Sequence, residues 1–193
     1  MNSMKKVYGV RILVGVFTIQ WVMCAMVSAQ TSHRLFVGTG EYDAAETWDA
    51  IMVFDNAQAI NGNRSANRVV DFKTSGGNFP HMIYFWKSRD ELYVTSLFTN
   101  EIFVFTNASY MSAGATPARI IGGSGTSLND PHGLWVDESR NILYVASRFD
   151  ATGSDPGNIL AWSNASSVSG NVMPRIIGGP VNTGLGQPFN CFV

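Results

Sequence analysis

Three histidines occur in the 193-residue chain, and two of them stand at matched places. His81 and His132 each follow a proline and lie 51 residues apart. Neutral imidazole is a common transition-metal ligand, so imidazoles recurring in one register are the beginning of a zinc-type site. A catalytic zinc centre usually takes three protein ligands. The third place in the series is held by Asn190, in the run Gln187-Pro188-Phe189-Asn190, and the remaining histidine is His33. The other reading of the Pro-His pair is structural, a turn and strand start whose imidazole hydrogen-bonds to backbone. A second constellation is acidic. Glu41, Asp43, Glu46 and Asp49 put four carboxylates within the nine residues 41–49. Calcium is held by several carboxylate and carbonyl oxygens, although no EF-hand spacing is present and a solvated acidic rim is the plainer alternative. The run holding Asp150 and Asp155 is a second long acidic segment, with Phe149 beside it. There is no glycine-rich phosphate loop, nucleophile elbow or cysteine-pair metal motif, so no catalytic residue is assigned.

The elements that must position these residues repeat along the chain. Residues 78–96 align with 129–147 at an offset of 51, and Leu35-Phe36-Val37 is an earlier copy of Leu92-Tyr93-Val94. The runs 51–56, 102–107 and 159–164 are copies of one another, each ending in Asn, and each is followed by an Arg-led run beginning at Arg68, Arg119 or Arg175. Repeats on this scale identify one supersecondary unit stacked several times. Each unit holds four short runs rich in Ile, Val, Leu, Tyr and Phe: 133–137, 142–147, 159–163 and 174–178 in the last full copy. Asn, Asp, Gly, Ser and Pro separate them, as turns require. No helical stripe runs through them. The expectation is an all-β chain whose unit is four antiparallel strands, the blade of a β-propeller. Recurrence also predicts burial of Tyr93, Val94, Tyr144, Val145, Ile102, Phe105, Ile159 and Trp162.

The run "PHGLWVD" opening a strand, then "NILYVAS", then "GNILAWSNAS", resembles the repeat of six-bladed NHL-type propellers, and the resemblance covers nearly all of residues 34–193. It implies blade units at about 34–72, 80–123 and 131–179, with a final strand at 188–193. It also implies that the first strand of each unit lines a central channel, which would bring His81, His132 and Asn190 to the channel mouth as a ligand-binding set. Amidating lyases of this group resemble the chain in their Pro-His strand starts and hold zinc with three histidines, and virginiamycin-type lyases carry Pro-His-Gly elements. Asn190 departs from that pattern.

Residues 1–29 read as a secretory signal peptide. Lys5, Lys6 and Arg11 precede an apolar run from Ile12 to Met26, and Val27-Ser28-Ala29 supplies small residues for cleavage. The run is short for a bilayer span, so no stable membrane anchor is expected after cleavage. Removing it leaves 10 basic against 14 acidic residues, a net charge of −4, and Cys191 as the single cysteine. Without a basic run, nucleic acid is not an expected partner. Asn107 and Asn164 begin sequons but recur with the repeat, which fits turn residues; Asn63 begins a third.

The function expected from these features is a secreted or periplasmic scaffold that recognises a protein or small molecule through its loop face. It requires no cofactor, and calcium or zinc is left open. The alternatives are a metal-assisted lyase or lactone hydrolase in the channel mouth, and a fragment with no function of its own. Three units are fewer than the roughly 4–8 of ordinary propellers. Either the chain is a piece of a longer ring, or two copies form a homodimer, each lending its 188–193 strand to the other to make six blades.

Overall fold

The computed structural model describes residues 33–40 and 49–193. The signal-peptide reading of 1–29 and the candidate calcium residues Glu41, Asp43 and Glu46 fall outside the described residues.

Among the described residues eleven strands form three antiparallel sheets. The first holds β1 (Leu35–Thr39), β2 (Ala50–Phe54) and β3 (Arg68–Asp71). The second holds β4 (Pro80–Trp86), β5 (Glu91–Ser96), β6 (Glu101–Thr106) and β7 (Arg119–Ile121). The third holds β8 (Pro131–Asp137), β9 (Ile142–Ser147), β10 (Asn158–Ser163) and β11 (Arg175–Gly178). Within each sheet the strands follow chain order, an up-and-down meander. The sequence copies fold alike. β4 and β8 are offset by 51 residues, and each bulges at the same place, between Pro80 and Ile83 and between Pro131 and Leu134. That bulge carries β8 two residues earlier than the 133–137 run, because Pro131 still pairs with Ser147.

Turn chemistry explains the repetition. Asn56, Asn107 and Asn164 have positive φ (54, 51 and 61°) just after β2, β6 and β10. Asp90 and Asn141 do the same between the first two strands of their sheets. Asn and Asp tolerate this left-handed conformation better than other side chains that carry a Cβ. The carboxylate of Asp90 and the amide oxygen of Asn141 then each accept a backbone N–H across the sheet, from Ser109 and Ser166, both at 2.8 Å. The sequon asparagines at 107 and 164 are thus turn residues.

Two cores lie between the sheets. Ile51, Val53, Val70 and Phe72 of the first sheet meet Leu92, Val94, Phe103 and Phe105 of the second. On its other face the second sheet presents Tyr93, Ile102, Val104 and Ile121 to Leu143, Val145, Leu160 and Trp162 of the third. Alternation along each strand sends successive side chains to opposite faces, so the middle sheet is apolar on both. Of the side chains predicted to be buried, Tyr93, Val94, Val145, Ile102, Phe105 and Trp162 are buried. Tyr144 and Ile159 are half-buried, a correction to the expectation. They occupy the registers of Tyr93 and Ile102 but face the outer side of the third sheet, where no further sheet packs among the described residues.

A buried polar network ties the second sheet to the third. Glu91 is 4% exposed. Its carboxylate accepts from Arg119 Nη2 at 2.8 Å, from the Tyr93 hydroxyl at 2.9 Å and from Arg89 at 3.0 Å. Arg119 also donates to the Ala165 and Val168 carbonyls at 2.9 and 3.0 Å. Burial pushes the Tyr93 phenol up to about 12, opposed by Arg119. Arg68, the earlier copy, donates to the Ser109 carbonyl and to Asp55. Arg175, the later copy, is exposed.

Candidate functional site

The loops that enter β4 and β8 and those that leave β5 and β9 meet at one end of the second and third sheets. There an open cleft of about 370 Å³ is lined by Leu97, Phe98 and Asn100 after β5, Asn129 and Asp130 before β8, and Arg148 and Phe149 after β9. Repeated hydrogen bonds hold it. Asp130, at φ 54°, donates its N–H to Asn100 Oδ1 at 2.7 Å. The Arg148 N–H donates to the Asp130 carbonyl, and the Phe149 N–H to that of Asn129. The Asp130 carboxylate pairs with Arg148 Nη1 at 3.2 Å. The Arg148 guanidinium lies over the rings of Phe149 and Phe189, at 4.9 and 5.7 Å, and its Nε donates to Gln187 Oε1.

The two histidines do come together. Their ring centroids are 4.2 Å apart, edge to face. His81 is exposed and stacks near Phe79. His132 is buried at 5% exposure, with Phe189 on its far side at 4.8 Å. Its Nε2 stands 3.5 Å from Asp130 Oδ2, an electrostatic contact rather than a well-formed hydrogen bond, and neither ring nitrogen has a hydrogen-bond partner. Burial, then the neighbouring His81, lowers the His132 pKa below the ordinary histidine value, against the pull of Asp130. The imidazole is thus held neutral behind Asp130, with both nitrogens shielded from solvent.

Asn190 is not the third member of the series: Phe189 stands against His132 as His132 stands against His81, while Asn190 crosses Gly133 and accepts from the Cys191 N–H at 2.9 Å. Its backbone crosses Gly133 so closely that a Cβ there would collide with the Asn190 side chain and sit 2.5 Å from its Cα. Glycine at 133 is what admits the segment. Among the described residues no group of three or more His, Cys, Asp or Glu side chains is placed to hold a metal ion.

Asp49, the described member of the candidate calcium loop, is 3% exposed. Its Oδ2 accepts the Phe79 N–H at 2.9 Å, and Oδ1 has no hydrogen-bond partner. This is the same job that Asn100 does for Asp130, 51 residues on in both partners. In the other acidic loop, Asp150 Oδ1 accepts from Thr152 and Ser154 within its own turn, which lowers its pKa. Asp155 accepts from Gln187.

Phe98, Asp130, Arg148 and Phe189 were not singled out from the sequence. A signal was there: Phe98 and Phe149 are 51 residues apart, as are Phe79 and Asp130, so the cleft is built from the repeat itself. No protein-family model matches the chain, and no curated protein matches it significantly.

Proposed function

We propose that the chain is a ligand-binding scaffold of the NHL-type β-propeller class, its three sheets being blades, exported by its N-terminal segment. The binding surface is the cleft between the loops of the second and third sheets, whose Asp130 contacts the buried His132. The observation that carries this reading is an open cleft that sets two phenyl rings beside an Asp–Arg couple and two amides. Small-molecule sites are typically concave and apolar, with a few placed polar groups, at volumes from about 300 Å³ upward. The mixture of ring faces, donors and acceptors suits a small neutral molecule with one apolar face and several hydroxyl or amide groups, of which a sugar ring is the simplest example. Loops on a rigid sheet scaffold are where such recognition commonly resides.

A thermal-shift screen against mono- and disaccharides and free amino acids tests this, followed by imidazole NMR on the compounds that stabilise. A ligand at about 100 times its Kd adds roughly 2.7 kcal/mol, or about 5–10 °C for a domain of this size. The expected result is stabilisation by one compound class with a shift of the His132 resonances, lost in Phe98→Ala and Arg148→Ala. Stabilisation that survives both substitutions, or none across the panel, would overturn the reading.

A further inference from the structure

The three sheets are unequal at their inner edges. In the second and third, β5 and β9 pair with an inner strand, β4 or β8. In the first, β1 is the copy of β5 at an offset of 57 and pairs only with β2, so its inner edge is open among the described residues. At the other end of the chain, residues 188–193 carry the inner-strand sequence and have no hydrogen-bonded partner strand. They nevertheless stand beside β8 as β8 stands beside β4. His81 meets His132 at 4.2 Å and His132 meets Phe189 at 4.8 Å; Tyr84 meets Trp135 at 5.2 Å and Trp135 meets Phe192 at 6.4 Å. Among the described residues one inner strand lacks its sheet, and one sheet lacks its inner strand.

The open faces match in the same way. Leu35, Val37, Met52 and Phe54 are register copies of Leu92, Val94, Phe103 and Phe105, which are 0–1% exposed between sheets; the four copies are half-buried or exposed. On the third sheet, Tyr144, Ile159 and Ile177 copy Tyr93, Ile102 and Ile121, each 0% exposed, and are likewise uncovered. Arg175 copies Arg68 and Arg119, each of which reaches a carbonyl on the neighbouring sheet's turn, and it projects into solvent. The face missing from one side of the chain is the face left open on the other.

We infer that two copies of the chain close on each other about a two-fold axis, residues 188–193 of each pairing with β1 of the other. Each third sheet then packs on the other copy's first sheet. An apolar face is covered by the surface that covers it elsewhere in the repeat, and an edge that would otherwise template aggregation is paired. A two-fold exchange of identical elements closes without leaving further edges. The total of six sheets rests on the propeller reading; the edge pairing rests on register alone. That register follows from Leu134↔Val145 and Trp135↔Tyr144 in the third sheet: Cys191 falls opposite Val37 of the second copy, Phe192 opposite its Phe36, and Arg175 reaches its turn at Gln58.

The test uses the full chain carrying Cys24→Ser, which leaves Cys191 as its one native thiol. Val37→Cys places a thiol opposite Cys191. Phe36→Cys places one on the opposite face of the same strand, and Val69→Cys one on the exposed β3, two strands away. Circular dichroism confirms that each variant keeps its strand content. On oxidation with diamide, Val37→Cys is expected to run as a dimer on a non-reducing gel and to return to single-chain mass on reduction, with the two controls unlinked. Light scattering on the unsubstituted chain is expected to give twice the single-chain mass. A monomer in solution, an open-ended polymer, or equal cross-linking of the three variants would overturn the inference. The ligand-binding reading is decided separately, by the compound screen.

Discussion

Arg119 offers the sharpest measurement of what holds the sheets together. Its guanidinium is 14% exposed and satisfies a carboxylate at 5%. Replacing it by Leu removes the 2.8 Å pair with Glu91 and the two donations to the Ala165 and Val168 carbonyls. Breaking a buried ion pair by removing one partner costs about 3–5 kcal/mol, because the other charge is left buried. Two features reduce that figure. Arg89 still donates to Glu91 at 3.0 Å, though it is 41% exposed, and the Tyr93 hydroxyl still donates to Oε2. The abandoned carbonyls add back about 1 kcal/mol or more. The expected loss is about 3 kcal/mol, read from the urea midpoint at constant slope, or about 6–12 °C in Tm. Removing the acid as well should recover most of it: Glu91→Leu with Arg119→Leu leaves no uncompensated charge, and apolar replacement of a buried pair is often nearly neutral. A single substitution costing under about 1 kcal/mol, or a double substitution as costly as the two singles added, would refute the claim that a desolvated pair joins the second and third sheets.

Phe105 is 1% exposed against Phe72, and Phe105→Ala should cost about 3–5 kcal/mol in chemical denaturation; a cost near zero would mean that the first and second sheets do not share a core. His132 has a folded-state pKa lowered mainly by burial, with His81 and Arg148 acting in the same direction and Asp130 against. Its contribution to stability is therefore complete above the unfolded-state value of about 6.5 and is lost as pH falls through the lower folded value. Urea midpoints at neutral and mildly acidic pH should fall further for the parent chain than for His132→Phe, and equal slopes would count against the buried neutral imidazole. Asp49→Asn should leave stability within about 0.5 kcal/mol, since Asn100 performs the same capping with an amide, whereas Asp49→Ala should cost about 1–2 kcal/mol. Calcium titration calorimetry on Asp49→Asn separates the roles: binding present in the parent and abolished here would make the carboxylate a ligand rather than a cap.

Eleven strands and their turns were legible in the sequence because they are local and repeated; the twelfth, expected at 188–193, is not a strand in the structure, because no sheet edge stands beside it among the described residues. A run such as Ile102–Asn107 carries its own apolar alternation and its own left-handed Asn, and three copies of that pattern mark the same turn three times. Burial was less legible, because it is decided by what stands on the far side of a sheet. Tyr93 and Tyr144 are identical in type and register, yet only Tyr93 is covered on its outward face. His81 and His132 differ for the same reason. Both follow a proline and open the first strand of a four-stranded sheet, but His132 is flanked by β4 on one side and by residues 188–193 on the other, while among the described residues His81 has such a neighbour on one side only. That flanking strips water from one imidazole, lowers its pKa and leaves its nitrogens unpartnered, where the other stays solvated. The sequence by itself determined the repeating unit, its strands and the recurrence of imidazole at the strand start. The tertiary structure alone decided which imidazole is desolvated, since a side chain's neighbours across a sheet depend on how many copies of the unit stand on either side.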